Sequence, residues 1–129
     1  MEKRILITAS ILGFLSILLG AFAAHGLQAI LNEQQILSFQ TGVRYQFYHV
    51  FLLLFIVNTN YVSQLYKTII YRLTVLGVLL FSGSIYFLTL DEYLISYNVK
   101  TIAILTPIGG LFLLCAWAIL LFSLSKKKI

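Results

Sequence analysis

Nine polar residues, set within or beside long apolar segments, are the candidates for chemistry in this sequence. They are His25, Arg44, Tyr45, Gln46, His49, Ser82, Ser84, Tyr86 and Thr106. Tyr45 and Gln46 precede His49 by four and three residues, so on a helix the three side chains share one face. Polar side chains in such surroundings usually face the interior of a helix bundle, because lipid cannot satisfy their hydrogen bonds. We therefore expect these residues to form one polar cluster.

Two interpretations of this polar cluster remain open. In the first, the side chains bond to one another, fix the register of the helices and cap helix ends, with Gly26 closing the first helix after His25. In the second, they line a cavity for an ion, a proton or a lipid headgroup, since an ionisable residue inside a membrane is a functional candidate by default.

Metal binding and catalysis have less support in the sequence. His25, His49 and a carboxylate from Asp91 or Glu92 could supply three ligands to zinc or a similar ion, and two histidines could ligate haem. No paired-cysteine or HExxH spacing accompanies them, and Cys115 is expected about 21 Å below the outer end of its helix. The nucleophile, phosphate-loop and dinucleotide motifs are absent as well. We predict no enzyme activity, no metal and no cofactor.

The elements that must position these residues are expected to be transmembrane helices. Hydrophobic residues make up 60% of the 129 residues and charged residues only 10%, whereas a soluble domain carries about 25% charged residues. A helix needs roughly 20 apolar residues to cross a membrane. The segments that qualify cover residues 5–24, 44–62, 73–90 and 101–124. The second is the weakest, because His49 and polar residues at 58–60 interrupt it.

A short amphipathic helix is expected between the first two spans. Residues 26–43 mix polar side chains with apolar ones at 27, 30, 31 and 37, which partly follow helical spacing. Such a helix would lie in the outer membrane interface. The predicted fold class is all-α: an integral membrane four-helix bundle with a short interfacial helix between helices 1 and 2, in a single domain over residues 1–129.

Positive charges are distributed unequally between the two sides of this topology. Seven fall on the side that holds both termini, namely Lys3, Arg4, Lys67, Arg72, Lys126, Lys127 and Lys128. Only Arg44 and Lys100 fall on the other side. Because cytoplasmic loops carry an excess of Lys and Arg, we predict a multi-pass protein of the cell (inner) membrane with both termini in the cytoplasm. The expected partners are membrane lipids, with a second copy or another membrane protein as further candidates, and no nucleic acid.

Small residues at helical spacing mark the faces where the helices are expected to pack, because they allow close backbone approach in lipid. They are Ala9, Gly13, Ser16, Gly20 and Ala24 on the first segment, Gly77 and Gly83 on the third, and Gly109 and Gly110 on the fourth. The spacing in the first segment places all five on one helix face.

Four stretches, in order along the chain, resemble the signatures of a family of small membrane proteins of unknown function. They are residues 20–27 (GAFAAHGL), 41–49 (TGVRYQFYH), 80–86 (LFSGSIY) and 106–110 (TPIGG), the last followed by Trp117. The family is domain of unknown function 423, with bacterial members of the YgdD and YwdK types and eukaryotic members called transmembrane protein 256. Ala23 replaces a glycine of the first signature, and Cys115 stands where a glycine often precedes the Trp.

This resemblance implies a membrane location and four helices, and it implies no reaction, because the role of the family is not established. It also points to polar residues already selected, which are His25, Tyr45, Gln46, His49, Ser82, Tyr86 and Thr106.

Three functions are compatible with these residues. The leading hypothesis is a non-enzymatic membrane protein that binds lipid or a partner protein, or scaffolds the envelope. The first alternative is a small transporter or channel component for an ion or small solute, which needs a water-filled cavity at the polar level. The second is a metal- or haem-binding membrane protein, which needs His25 and His49 within about 4–5 Å of each other.

Overall fold

The computed structural model describes residues 1–94 and 99–126, with side chains described for residues 1–90 and 101–126. Four α-helices follow one another: α1 (Glu2–Ala24), α2 (Glu33–Asn58), α3 (Gln64–Leu94) and α4 (Val99–Lys126). A 3-10 turn, Gly26–Ala29, lies between α1 and α2. The described residues contain no strand, so the all-α class is confirmed.

Three helical stretches are long and apolar enough to cross a membrane. They are Glu2–Ala29, Gln64–Leu90 and Thr101–Lys126, and they correspond to the first, third and fourth predicted spans. The 26 residues of α2 give a length of about 39 Å, which is also sufficient. The polar residues of α2 lower its mean hydropathy, so α2 is not among the three stretches.

The predicted interfacial helix over residues 26–43 does not form as a separate element. After the 3-10 turn, α2 begins at Glu33 and continues without a break to Asn58. Its start is a capping box: the Gln35 N–H donates to Asn32 Oδ1 (2.8 Å) and the Asn32 N–H donates to Gln35 Oε1 (3.0 Å). This arrangement satisfies two backbone donors at the helix end. The predicted bounds of the second helix, residues 44–62, are therefore wrong at both ends.

Helices that are neighbours in the chain pack against each other, α1 on α2, α2 on α3 and α3 on α4. The start of α1 and the end of α4 lie at the same end of the bundle. Glu2, at the start of α1, forms an ion pair with Lys67, near the start of α3. The Tyr66 ring, also near the start of α3, lies 6.2 Å from that of Phe122, near the end of α4. The chain therefore runs up, down, up and down.

Two apolar cores lie at different levels of the bundle. The larger core lies in the half of the bundle that contains the start of α1 and the end of α4. It includes Ile5, Ala9, Leu53, Ile70 and Ala116. The smaller core lies at the opposite end, where the 3-10 turn folds against the first turns of α2, and consists of Ala23, Leu27, Leu31, Ile36 and Phe39. The region expected to lie flat on the membrane interface thus forms a packed cap on this end of the bundle.

Glycines bring α3 and α4 into backbone contact. A Cβ atom on Gly109 would meet the backbone of Phe81 and would lie 2.8 Å from the Leu80 carbonyl carbon. A Cβ atom on Gly77 would lie 2.6 Å from Leu113 Cδ2. No side chain fits at Gly109 while the helices stay this close, whereas at Gly77 the Leu113 side chain would have to move. Gly110 is less constrained, because a Cβ atom there would lie 3.7 Å from Phe81 Cδ2.

The small residues of α1 pack on α2 along part of the predicted stripe. Ala9 and Ser16 are buried, and Cβ atoms on Gly13 and Gly20 would each lie 3.6 Å from a valine of α2. Ala24, however, is exposed, and the adjacent Ala23 is buried in its place. On α3, a Cβ atom on Gly83 would meet nothing within 4 Å. Ala24 and Gly83 therefore do not mark helix contacts.

Candidate functional site

The structure divides the nine predicted polar residues by exposure. Gln46, His49, Ser82 and Ser84 are buried, and Tyr86 and Thr106 are half-buried. The remaining three, His25, Arg44 and Tyr45, are exposed. The six inner residues are called the polar network below. The predicted single cluster is therefore smaller than expected, because three of its members lie on the surface.

Gln46 joins three helices within the polar network. Its Nε2 donates to the backbone carbonyl of Leu12 on α1 (2.9 Å), and its Oε1 accepts a hydrogen bond from Tyr86 OH on α3 (2.8 Å). Ser16 Oγ donates to the same Leu12 carbonyl (2.7 Å). A carbonyl oxygen has two lone pairs and can accept more than one bond. The amide of Gln46 is only 3% exposed and has partners at both ends.

Gly42 allows α3 to approach α2 beside this amide. Ser82 Oγ donates to the Gly42 carbonyl (2.7 Å), and a Cβ atom on Gly42 would lie 2.8 Å from Tyr86 Cε1. The Tyr86 ring also packs on Phe39, with ring centroids 4.8 Å apart. Gly42 was not among the predicted site residues, because it was predicted to lie before the second span; a glycine inside a helix signals close approach, and Gly42 lies inside one only because α2 begins at Glu33.

Ser84 and Thr106 join α3 to α4. Their hydroxyl oxygens lie 2.5 Å apart, and Ser84 Oγ also donates to the Phe81 carbonyl (2.9 Å). A hydroxyl donates one hydrogen and can accept others. The two bonds are compatible when Thr106 donates to Ser84.

His49 is fully engaged by the protein. Its Nδ1 lies 2.6 Å from the Tyr45 carbonyl, and its Nε2 accepts a hydrogen bond from Trp117 Nε1 on α4 (3.2 Å). Because an indole N–H can only donate, these partners require a neutral imidazole with its hydrogen on Nδ1. No ring nitrogen of His49 is left for a metal ion.

His25 ends α1 on the surface. Its backbone N–H donates to the carbonyls of Ala21 and Phe22 (3.2 and 3.3 Å), which caps the helix. Among the residues whose side chains are described, no three His, Cys, Asp or Glu residues converge as metal ligands would. The side chains of Asp91 and Glu92, proposed from the sequence as further ligands, lie outside the described part.

Lys67 is a site residue that sequence reasoning missed. Its side chain is 4% exposed, and its Nζ lies 3.3 Å from Glu2 Oε1. The same ammonium donates to the Val57 carbonyl near the end of α2 (3.2 Å), and Gln64 donates to Glu2 Oε1 (3.1 Å). A lysine near a helix C-terminus can bond the last carbonyls, and this signal was available once the end of α2 was correctly located.

Thr74, in the middle of α3, is the one buried side chain without a hydrogen-bond partner for its oxygen among the described residues. It is 0% exposed. Nothing in its surroundings gives it a role.

A family model described as "Protein of unknown function (DUF423)" matches residues 19–110. The chain belongs to the DUF423 family. All nine predicted polar residues fall within the matched range, whereas Trp117, the partner of His49, lies beyond it. The DUF423 assignment agrees with the resemblance that the four sequence signatures predicted.

Relatives cover almost the whole chain. A UPF0382 membrane protein of Haemophilus influenzae is 34% identical over 99% of this chain and 98% of its own length. The UPF0382 inner membrane protein YgdD of Escherichia coli K12 is 32% identical over 98% of this chain and 93% of its own length. A UPF0382 membrane protein of Staphylococcus haemolyticus is 32% identical over 96% of this chain and 97% of its own. No solved structure gives a significant match.

Proposed function

We propose that this protein is a non-enzymatic, four-span protein of the cell (inner) membrane that acts through its outer surface, by binding lipid or a partner protein. The observation that supports this proposal is the polar network. Each of its members bonds another member, the Trp117 indole or a backbone carbonyl. Paired groups of this kind fix helix positions, and they leave few donors or acceptors for a ligand.

A cleft at the outer end bears on the transport alternative. It has a volume of about 400 Å³ and is lined by residues of the outer parts of α2, α3 and α4, including Asn32, Ser38, Thr89 and Thr106. Of these, Thr106 bonds to Ser84. A path for an ion or solute would have to continue below this pair through the bonded Gln46 and His49. The geometry therefore favours a surface role over transport.

The lateral surface of the bundle, formed by the exposed sides of its helices, is suited to contact with lipid or with another membrane protein. Large apolar side chains are exposed along α1, among them Phe14 (69%) and Ile17 (69%), and along α4, among them Leu114 (67%) and Leu121 (68%). In water such faces would promote aggregation. In a membrane they meet acyl chains or a second apolar helix. Because α2 lies between α1 and α3, we include it as the fourth span.

A flux assay tests the proposal. The purified protein is reconstituted into liposomes with an imposed proton or potassium gradient, and flux is followed with an internal dye. We expect wild-type flux equal to that of empty liposomes, because the polar network leaves no continuous path. Gln46→Leu is compared with Tyr45→Phe, which removes a hydroxyl from an exposed residue outside the network. Wild-type flux that Gln46→Leu abolishes and Tyr45→Phe preserves would contradict the proposal.

A further inference from the structure

Arg44 is an exposed cation on the surface of α2 where that helix packs against α1. The level of this residue follows from its neighbour Val43, which lies 3.6 Å from the position of a Cβ atom on Gly20. Gly20 precedes the end of α1 at Ala24 by four residues, or about 6 Å. The long side chain of an arginine at this depth can reach the headgroup level while its stem stays on apolar surface.

An apolar groove begins beside this arginine. It lies between α1 and α2, has a volume of about 210 Å³ and is lined by Ser16, Ile17, Val43, Arg44, Phe47 and Tyr48. Because α1 and α2 run in opposite directions, Ile17 and Phe47 both lie about one helical turn deeper than Arg44. The groove therefore leads from the guanidinium toward the centre of the membrane.

The guanidinium of Arg44 has more N–H donors than the one hydrogen bond it makes among the described residues. Its Nη2 donates to Thr41 Oγ1 (3.0 Å), and Thr41 in turn donates to the Leu37 carbonyl (3.0 Å). Within the part of the chain whose side chains are described, no carboxylate forms an ion pair with Arg44. A guanidinium has five N–H donors, and an unpaired charge beside hydrocarbon is costly. The site therefore favours an anionic ligand.

We propose that Arg44 and this groove form a binding site for a glycerophospholipid of the outer leaflet. The guanidinium binds the phosphodiester, whose oxygens match its fork of donors. Thr41 holds the guanidinium in place, and one acyl chain lies along Ile17, Val43 and Phe47. The groove is too small for a helix, which is about 10 Å wide, and so fits a single acyl chain better than a protein segment. This inference rests on the proposed surface function and names its ligand.

Native mass spectrometry of the detergent-purified protein, with added phosphatidylglycerol, tests the site. We expect one retained phospholipid per wild-type chain, and retention reduced about tenfold in Arg44→Gln, because a charge-assisted bond is lost. Arg44→Lys should keep part of the retention, since lysine binds phosphate as a point charge. Ile17→Trp should reduce retention by filling the groove while leaving the guanidinium intact. Arg72→Gln, the same charge change at an exposed residue near the opposite end, is the matched control and should retain lipid like the wild type.

Several outcomes would overturn the site. One is equal retention in Arg44→Gln and the wild type, and another is equal retention of diacylglycerol, which has no phosphate. A dimer that Ile17→Trp disrupts would assign the groove to a second copy of the chain instead. If Arg44→Gln does not fold, Arg44→Lys and Ile17→Trp decide the question. The liposome flux assay is independent: wild-type flux that Gln46→Leu abolishes and Tyr45→Phe preserves refutes the surface function, whereas unchanged lipid retention in Arg44→Gln refutes only this site.

Discussion

The Lys67 ammonium joins three helices at the end of the bundle where both termini lie. It bonds Glu2 in the first turn of α1 and the Val57 carbonyl in the last turn of α2. The last four carbonyls of a helix have no partner within the helix, and a cation there also opposes the negative end of the helix dipole. A buried charge is tolerated when it is paired and hydrogen-bonded, and Lys67 satisfies both conditions.

Replacing Lys67 tests this arrangement. Lys67→Met keeps the length of the stem but leaves the Val57 carbonyl without its donor, so we expect the free energy of unfolding to fall by about 1–3 kcal/mol. Arg72→Met removes the same charge from an exposed residue of the same helix and should change it by less than about 0.5 kcal/mol. Thermal unfolding in one detergent, followed by circular dichroism, measures both. Equal effects of the two substitutions would show that Lys67 acts only through its charge.

Part of the residue-scale arrangement was predictable. Helical spacing placed Gln46 and His49 on one face, and both are buried. The same reasoning could not separate them from Tyr45, which is 41% exposed. A face of a helix is broad, and only the position of the neighbouring helices decides which of its edges is covered. The partner of His49 was missed for a related reason: Trp117 lies 68 residues away, beyond the reach of local spacing.

The contact between α3 and α4 brings the backbones of the two helices together at Gly109. It depends on Gly77 and Gly109, since a Cβ atom at either position would overlap the other helix. Within lipid, helices gain little from the hydrophobic effect on association, so close packing of backbones contributes more. Ser84 and Thr106 add a polar link between the same two helices.

Alanine substitution at two glycines tests this contact. In Gly109→Ala the new methyl group meets backbone atoms of α3, which cannot rotate away, so the helices must separate. We expect a loss of about 1–3 kcal/mol in the free energy of unfolding, typical of overpacking. Gly83→Ala meets open space and should be neutral, or stabilising by about 0.5–1 kcal/mol through helix propensity. Unfolding curves of the two variants that coincide would rule out the backbone contact.

At the scale of elements, apolar length predicted the bounds of α1 and α4 to within three residues, but it placed the start of α3 nine residues too late and that of α2 eleven residues too late. The bounds of α2 depend on local chemistry instead. The capping box of Asn32 and Gln35 starts the helix eleven residues before Arg44, the residue at which the predicted span began. Hydropathy does not register such a signal, because both capping residues are polar. Of the residues predicted to form a short interfacial helix, Gly26–Ala29 form the 3-10 turn and those from Glu33 onward form the beginning of α2.

The whole molecule has a clear polarity between its two ends. One end holds the start of α1, the end of α4, the loop from Thr59 to Ser63 and Lys67, and the other end holds the capped start of α2. The sequence carries seven of its nine Lys and Arg residues toward the first end. By the positive-inside rule we predict that this end faces the cytoplasm.

Reporter fusions test this orientation. A fluorescent protein fused after Ile129 should be bright, and alkaline phosphatase at the same point should be inactive, because the phosphatase folds only outside the cytoplasm. A truncated fusion after Leu31, between α1 and α2, provides the matched control and should give the opposite pair of signals. Active phosphatase after Ile129 would reverse the predicted orientation.

The polar network ends on main-chain atoms at most of its anchor points. The carbonyls of Leu12, Gly42, Tyr45 and Phe81 accept its hydrogen bonds. Each of these acceptors belongs to the helix and not to the identity of the residue that carries it. The bonds to the Leu12 and Gly42 carbonyls cross between helices and so depend on the positions of those helices, whereas the bonds to the Tyr45 and Phe81 carbonyls lie within α2 and α3. A relative could exchange the side chain at position 12 and keep the same bond, provided that the spacing between its α1 and α2 is unchanged.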